Sequence, residues 1–294
     1  MRKKTGRIST IILIIILLVG LSVMLYPIIS NWWNERVQSK VISNYKETVA
    51  QMDDGEIERL IDEAHEYNEK LAALYAPFIN YKEIPGYDDI LDVSGTGIMG
   101  YITIPVIHAE YPIYHGTSEE VLNIAAGHMQ GSSFPVGGAD THAAISAHRG
   151  LPSAKLFTDL DKMVEGDTFT ITVLDQVYTY EVEKILTIKP DEVDKLAIIP
   201  DKDYVTLTTC TPYGVNTHRL LLRSRRIETV YDESEVKVKV NPDALQVDPM
   251  LVVPIIFTVF VFLLILFWIF SSKMKKSKVL DYTKITIKSK EDGD

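Results

Sequence analysis

The chain has 294 residues, of which 46% are hydrophobic, and its 40 acidic and 30 basic side chains give a formal net charge of −10. Such an acidic chain has no excess of cations to hold phosphates, which argues against nucleic-acid binding. It has one cysteine, which excludes an internal disulfide, and no cluster of His, Cys and Asp has zinc-site spacing. We therefore expect no metal and no cofactor.

Two apolar segments, residues 8–30 and 250–270, are each long enough to cross a membrane. About 20 residues at a rise of 1.5 Å cover the roughly 30 Å of the hydrocarbon core. The alternative for the first is a cleaved signal peptide, since "MRKKTGR" resembles a basic leader. No small-residue cleavage site follows it, so we favour an uncleaved anchor. The sequence thus predicts two transmembrane helices.

Charge predicts the orientation of these helices. Residues 1–7 carry four basic side chains and no acid, and residues 271–294 carry seven lysines against four acids. Residues 31–249 hold 19 basic and 36 acidic side chains. Because positively charged flanks stay in the cytoplasm, both termini should be cytoplasmic and the acidic middle extracellular. Trp32, Trp33 and Trp268 fall at the predicted membrane–water boundaries, where indole rings prefer to lie.

Residues 31–97 are predicted to hold helices followed by a long loop. Apolar side chains recur every three or four residues over 35–75, which is typical of amphipathic helices. "DDG" at 53–55 should separate two helices, with Asp53 or Asp54 as the N-cap of the second. Residues 76–97 show no sustained period. This segment is either a functional cover or a plain connector.

From residue 98 the pattern becomes that of a β-protein. Short β-branched or alternating runs are separated by Gly, Pro, Asn and Asp, which indicates a barrel or a sandwich. The runs are "IMGYITIPVI", "YPIYHG", "AAISAH", "TFTITVLD", "VYTYEVEKILTI", "YVTLTT" and "RLLLRS". Residues 153–163 are predicted to form a short helix begun by Ser153, and the acidic segment 228–249 a tether.

The single cysteine, Cys210, is either a buried inert thiol or a reactive one, and composition alone leaves both open. A nucleophilic thiol needs a neighbouring base or cation. His148, at the end of "AAISAH", is well placed for this role, although a turn histidine is the alternative. Arg219 begins the run after Cys210, and the two would face each other if these strands pair antiparallel. A surface ion pair is the alternative for Arg219.

The stretch "TLTTCTPYGVNTHR" resembles the active-site signature of sortases, the membrane-anchored cysteine transpeptidases of Gram-positive bacteria. "YPIYHGTSEEVL" and "THAAISAHRGLPSAKLFTDLDKMVEGDTF" extend the resemblance to class C, the pilus-polymerising sortases. The resemblance implies a mainly β fold, an eight-stranded sortase barrel with N-terminal helices, flanked by the two transmembrane helices. It also implies Cys210 as nucleophile, His148 as the catalytic histidine and Arg219 as the catalytic arginine, with Thr209 in support.

The resemblance further implies a cell-membrane enzyme with an extracellular catalytic domain at 98–227. Such an enzyme cleaves an LPXTG-like sorting signal of pilin subunits between Thr and Gly, and joins the thioacyl intermediate to a pilin lysine. One alternative keeps this chemistry but anchors surface proteins to amines of the cell-wall peptide. Another, of a different class, is a membrane-tethered pilus assembly scaffold without enzymatic activity.

One motif departs from the class C pattern. Class C sortases carry an N-terminal lid with an Asp-Pro-aromatic motif, whose acid pairs with the arginine and whose ring covers the cysteine. The corresponding stretch here is Ala76-Pro77-Phe78. Phe78 retains the ring, but Ala76 has no carboxylate. Either Asp88 or Asp89 substitutes for the acid, or the cover is loose or absent. We therefore expect a weakly held lid.

Overall fold

The computed structural model describes residues 2–229, with side chains from residue 13 onward. These residues fall into two compact units, 2–28 and 29–229. The second predicted transmembrane helix, the cytoplasmic tail and nearly all of the predicted tether lie outside the described residues.

Two long helices precede the β-domain. Helix α1 spans Arg2–Val49, and it is the one helix in the described part of the chain that is long and apolar enough to cross a membrane. Helix α2 spans Asp54–Ala73, and the Asp53 side chain caps it by accepting a hydrogen bond from the Glu56 amide. The predicted N-cap at Asp53 is confirmed, but the break lies at residues 50–53 rather than 53–55, because Asp54 and Gly55 already belong to the first turn of α2.

The β-domain is a closed barrel of eight strands in the order β1-β2-β3-β4-β7-β8-β6-β5. Closure pairs every strand on both sides, so no open edge is left. The expected eight-stranded barrel is confirmed. The strands are β1 Ile98–Ile104, β2 Ala109–His115, β3 Ala126–His128, β4 Thr141–Ser146, β5 Thr168–Val173, β6 Gln176–Ile188, β7 Asp203–Thr211 and β8 His218–Ile227.

Two local elements differ from the sequence-based expectation. Strand β3 was not predicted, because its three residues are too few to show an alternating pattern. The helix expected over 153–163 is a 3-10 helix over Leu156–Lys162, and no side chain caps it. Ser153 does not begin this helix; its carbonyl oxygen accepts a hydrogen bond from Asn34 Nδ2 at 2.7 Å, which ties the segment to α1.

The segment between α2 and the barrel is mostly irregular, as expected, but contains a short helix, α3, over Pro77–Asn80 and a 3-10 turn over Tyr81–Glu83. A further short helix, α4, spans Glu119–Leu122. Short 3-10 helices also occur at Pro105–Ile107 and Val193–Leu196. The last of these lies in the connection between β6 and β7, residues 189–202, called the β6–β7 loop below.

Apolar side chains form two clusters. The larger fills the barrel interior and extends to the N-terminal helices, where Tyr45 of α1 donates a hydrogen bond to the Met99 carbonyl at 3.1 Å. A smaller outer cluster lies on the opposite face of β4, β6 and β8, because side chains alternate across a strand. Its buried members are Ala144, Ile188, Leu196 and Leu221. This outer face carries the candidate site.

Candidate active site

Strand β7 presents Cys210 on the outer face of the barrel. Leu207 and Thr209 are buried toward the interior, so Thr208 and Cys210 point the other way by the two-residue period of a strand. Cys210 is a free thiol with part of its surface accessible to solvent. It is therefore not the fully buried, inert cysteine that composition alone left open.

Strand β8 places Arg219 directly opposite Cys210. The two strands pair antiparallel, and Cys210 and Arg219 are register partners. Side chains of directly opposed residues share a face with Cβ atoms about 5 Å apart. The predicted facing arrangement is confirmed. The guanidinium of Arg219 donates from Nη1 to the carbonyls of Asn216 at 3.4 Å and His218 at 3.2 Å.

Strand β4 brings His148 to the same place. It pairs parallel with β7, with Ser146 opposite Thr208, and the Ala147 amide donates to the Thr208 carbonyl at 3.2 Å. Continued two residues beyond the end of β4, this register brings His148 level with Cys210, and the charge of Arg219 acts on the His148 ring. The His148 carbonyl accepts a hydrogen bond from the Phe157 amide at 3.1 Å, which fixes the backbone at this point. The structure thus brings all three predicted side chains to one end of β4, β7 and β8.

Thr209 has a structural place in this arrangement. Its side chain is buried, and its hydroxyl donates to the Ala147 carbonyl at 2.8 Å. This bond joins the residue before Cys210 to the residue before His148. Thr209 therefore holds the two strand ends together and points away from the face that carries the thiol.

The surroundings of His148 lower the pKa of its imidazole. Burial is the main cause, the Glu119 carboxylate acts in the opposite direction, and the positive charge of Arg219 adds to the lowering. Both causes of the lowering disfavour the charged ring. The imidazolium of His148, once formed, is therefore a stronger acid than an ordinary histidine and gives up its proton more readily.

The loops that follow the two strands are tied to each other. Arg149 forms an ion pair with Asp161, and its guanidinium lies 5.7 Å from the centre of the Tyr213 ring. Gly150 adopts φ +76°, and a Cβ there would lie 2.9 Å from the same ring. The positive φ favours glycine at this position. The ties keep the segment after His148 close to the segment after Cys210.

The predicted lid residues lie on the outer face. Ala76 adopts the left-handed conformation (φ 48°, ψ 64°), Pro77 begins α3, and Phe78 packs against the outer cluster. The backbone of Pro77 and Phe78 passes close over Gly131, where a Cβ would lie 2.6 Å from Phe78 Cα. The segment thus covers part of the face that carries Cys210.

Asp88 and Asp89 were the candidate substitutes for the class C aspartate. Within residues 13–229, neither Asp88 nor Asp89 forms an ion pair with Arg219, whose side-chain hydrogen bonds go to backbone carbonyls. The ion pairs that form among these residues join other partners, for example Arg223 with Glu183. The lid is held by apolar packing and backbone contact.

A cavity of about 360 Å³ lies between the lid, α2 and the β6–β7 loop. Its walls are apolar except for Asp194. They include Leu71, Pro77, Phe78, Val193 and Ile198. Within the described part of the chain, no group of three or more His, Cys, Asp and Glu side chains has the arrangement of a metal site.

One outer-face residue, His142, was not singled out by the sequence. It lies on β4 six residues before His148 and hence on the same face. Its even spacing from His148 is the signal that was available. The contacts it makes depend on the β6–β7 loop, 55 residues further along the chain, and no local pattern predicts them.

Comparison with known proteins gives a consistent result. Residues 102–227 match the family model "Sortase domain". The structure is similar to sortase C1 from Streptococcus agalactiae, with 45% identity, a TM-score of 0.61, and coverage of 65% of this chain and 100% of that one. It is also similar to Streptococcus pneumoniae sortase C, with 45% identity, a TM-score of 0.58, and coverage of 65% and 97%.

Among curated proteins, the chain is 31% identical over 147 residues to sortase A of Streptococcus agalactiae, which covers 48% of this chain and 59% of that protein. The chain matches less than two thirds of the length of the first curated relatives, 59% and 63%.

An eight-stranded barrel with a cysteine, a histidine and an arginine at neighbouring strand ends defines the sortase class of fold. The chain belongs to the sortase family, and its solved structural neighbours are class C sortases.

Proposed function

We propose that this protein is a class C sortase, a cysteine transpeptidase that acts on sorting signals of pilin subunits. The observation that carries the proposal is the register of three strands. It pairs Cys210 with Arg219 across β7 and β8, and the parallel pairing of β4 with β7, continued two residues past Ser146, brings His148 level with Cys210. A thiol next to an imidazole and a guanidinium has the groups that acyl transfer requires.

The first half of the reaction forms a thioacyl enzyme. The Cys210 thiolate attacks the carbonyl carbon of the Thr–Gly bond in an LPXTG-like signal, and a C–S bond forms as the carbonyl oxygen becomes an oxyanion. Arg219 donates hydrogen bonds to this oxyanion. The C–N bond then breaks, and the His148 imidazolium gives its proton to the leaving glycine amine.

The second half transfers the acyl group. The ε-amine of a pilin lysine attacks the thioester carbonyl, and neutral His148 takes up the proton of the attacking amine. Collapse of the intermediate breaks the C–S bond and restores the thiolate and the imidazolium. The product is an isopeptide bond between two subunits. No redox partner and no metal enters these steps.

The choice of pilin as substrate is supported by the class C neighbours. The structure of Streptococcus pneumoniae sortase C bears on pilin substrate specificity in that enzyme. Anchoring of proteins to a cell-wall amine is the second candidate, because sortase A of Streptococcus agalactiae is also a relative. The match to class C structures is longer and closer than the match to sortase A, which favours pilin polymerisation.

The catalytic assignment is tested with the full chain in detergent and a fluorogenic LPXTG-type peptide. We expect Cys210→Ala and Arg219→Ala to abolish cleavage with no change in the far-UV circular dichroism spectrum. His218→Ala is the matched control for Arg219→Ala, since His218 is its neighbour on β8 and points to the other face. Cleavage by the Cys210→Ala chain would refute the nucleophile.

The acceptor is tested by incubating the full chain with purified pilin. Pilin ladders that survive boiling in detergent, and that Cys210→Ala does not produce, support polymerisation. Transfer of the peptide only to cell-wall amines supports the anchoring alternative. Neither product, together with intact pilin binding, supports the scaffold without enzymatic activity.

We also propose that the barrel faces the outside of the cell and that both termini are cytoplasmic. The single cysteine makes this testable in intact cells. A membrane-impermeant maleimide should label Cys210 in the native chain. It should not label a Thr5→Cys, Cys210→Ala double variant until the membrane is permeabilised. Labelling of the second chain in intact cells would contradict the topology.

A further inference from the structure

The ring of His142 is completely buried on the outer face of β4 and takes no part in the proposed chemistry. Its Nδ1 lies 2.9 Å from the Ala197 carbonyl oxygen in the β6–β7 loop, and its Nε2 lies 2.7 Å from Thr206 Oγ1 on β7. One ring thus joins β4, β7 and a loop that precedes β7.

These partners fix the tautomer of the ring. A carbonyl oxygen can only accept, so Nδ1 carries the proton and donates it to Ala197. Nε2 is then an acceptor, and the Thr206 hydroxyl donates to it. Burial lowers the pKa of His142 to about 4, with a further lowering by Arg223, so the ring is neutral under ordinary conditions. Both hydrogen bonds are therefore satisfied.

The loop that His142 holds has only a small apolar contact of its own with the barrel. Leu196, at the end of the 3-10 helix Val193–Leu196, packs into the outer cluster next to Ala144 and Leu221. Its neighbour Ala197 provides the carbonyl that His142 binds. Beyond this point the loop returns to the start of β7, where the Asp201 amide donates to the Asp140 carboxylate at 2.8 Å.

The loop lies on the face that leads to Cys210. Leu221, a member of the same outer cluster as Leu196, pairs with Thr208 of β7, and Cys210 is the next outward residue of β7. On the other side of the face, Phe78 packs on the same cluster, and Pro77, Val193 and Ile198 line the cavity between lid and loop. An extended peptide that reaches Cys210 along this face has the β6–β7 loop as one wall.

We infer that His142 is a positioning residue for substrate binding: its hydrogen bond to Ala197 sets the position of the β6–β7 loop, which forms a wall of the peptide groove. The inference rests on the proposed function, because the groove is that of the sorting signal. His142 does not touch the scissile bond and moves no proton in the reaction. Its effect falls on the Michaelis constant for the peptide.

The test compares His142→Leu with His142→Asn in the full chain. The leucine has no donor, whereas the amide nitrogen of asparagine lies close to the position of Nδ1 and can donate to Ala197. For His142→Leu we expect faster hydrogen exchange over residues 189–202. We also expect a KM for the peptide raised roughly two- to tenfold, as for one lost neutral hydrogen bond, with kcat unchanged within about twofold. For His142→Asn we expect both quantities close to those of the native chain.

Two further variants complete the test: one loosens the loop independently of His142, and the other is a negative control. Leu196→Ala loosens the same loop and leaves every side chain of β4 unchanged, and it should raise KM in the same way even if His142→Leu folds poorly. His65→Leu replaces a histidine of α2 that lies near Gly138 and, among the described residues, makes no hydrogen bond to the loop, and it should change neither quantity.

Each outcome decides the proposal. Unchanged exchange over 189–202 in both His142→Leu and Leu196→Ala refutes the positioning of the loop. Faster exchange with an unchanged KM, or with a lowered kcat instead, refutes the role in substrate binding. Failure of the native chain to cleave the peptide would refute the proposed function, while the exchange data would still report on the loop.

Discussion

The segment between α2 and the barrel has two halves that are held in very different ways. In the first half, Tyr75 and Ile79 are 87% and 78% exposed, and Phe78 provides the apolar contact with the barrel face. In the second half, Tyr87 and Leu91 are buried in the main core. The lid tip, residues 75–80, is thus lightly attached, and the lid base, residues 84–97, is part of the domain.

Hydrogen bonds show how firmly the lid base is attached. The Tyr87 hydroxyl lies 2.9 Å from His128 Nδ1 and accepts a bond from the Gly116 amide at 3.0 Å. The Tyr87 ring stacks on those of His128 and Phe134 at 5.7 and 5.5 Å. His115 adds contacts to two backbone carbonyls of the same segment, those of Ile90 and Gly97.

Because the lid tip is attached more weakly than the lid base, the tip can open without loss of the fold. Local opening free energies follow buried apolar contact and hydrogen bonding, and both are concentrated in the base. The tip can leave the outer face while the base keeps its place in the core. We therefore expect the hinge of the lid between residues 80 and 84, and substitutions in its two halves should have separable effects.

The largest expected effect is on stability, from a substitution in the base. Tyr87→Ala removes a buried aromatic ring and leaves His128 Nδ1 without its donor. We expect a loss of about 3–5 kcal/mol in the free energy of unfolding. Ile79→Ala in the tip should change it by less than about 0.5 kcal/mol. Pulse proteolysis in urea on the detergent-solubilised chain measures both, and equal losses would contradict the division of the lid.

A lower pH should destabilise the packing of the lid base, because the lid base contacts His128. Burial lowers the pKa of His128 to about 3, and that of His142 to about 4, against an ordinary value near 6.5. At a pH between these lowered pKa values and 6.5, the two histidines bind protons in the unfolded chain but not in the folded one. The free energy of unfolding therefore falls as the pH falls below about 6.5.

From pH 7 to pH 5 the free energy of unfolding should fall by about 2 kcal/mol for each of the two histidines. Urea unfolding at a series of pH values measures it, and a His142→Asn chain should lose about half as much as the native chain. A stability that is constant from pH 7 to pH 5 would show that these rings are not held neutral.

A smaller but specific effect is expected from Gly131. It adopts φ +86°, and a Cβ there would lie 2.6 Å from Phe78 Cα and 2.8 Å from the Pro77 carbonyl oxygen. Gly131→Ala must therefore displace the lid tip. We expect labelling of Cys210 by a thiol reagent to become severalfold faster and to approach the rate of a chain that lacks residues 76–78.

The matched control for this substitution is Gly166→Ala. Gly166 has φ +97° and no neighbour within 4 Å of a Cβ, so it measures backbone strain alone. It should leave the labelling rate unchanged. Equal labelling of the native chain, the Gly131→Ala chain and the deletion chain would show that the tip does not shield Cys210.

Local sequence predicted the parts of the site that local chemistry determines. A loop of Pro, Gly and Asn between two apolar runs indicated that Cys210 and Arg219 face each other, and the register agrees. His148 is 62 residues from Cys210 and reaches it through the parallel pairing of β4 with β7, which no local pattern specifies. Only the resemblance to sortases placed it there. The contacts of His142 and Tyr87 likewise depend on distant backbone groups.

The smallest effect concerns the lid residue that departs from the class C pattern. Ala76 occupies the left-handed region at φ 48°, which Asn and Asp tolerate better than Ala does. Ala76→Asn should therefore favour the closed tip slightly and slow Cys210 labelling by less than about twofold. Ala76→Asp adds a carboxylate, which the class C pattern pairs with Arg219, and should slow labelling roughly two- to threefold, as for a partly exposed ion pair.

The comparison of these two variants separates backbone preference from charge. The additional slowing in Ala76→Asp should disappear in 1 M salt, because exposed ion pairs are screened, and in an Arg219→Lys background, where the bidentate fork is lost. Ala76→Asn should respond to neither. If the two variants label at the same rate at low salt, the residue at position 76 acts through its backbone conformation, and the weak hold on the tip comes from the left-handed alanine rather than from the missing acid.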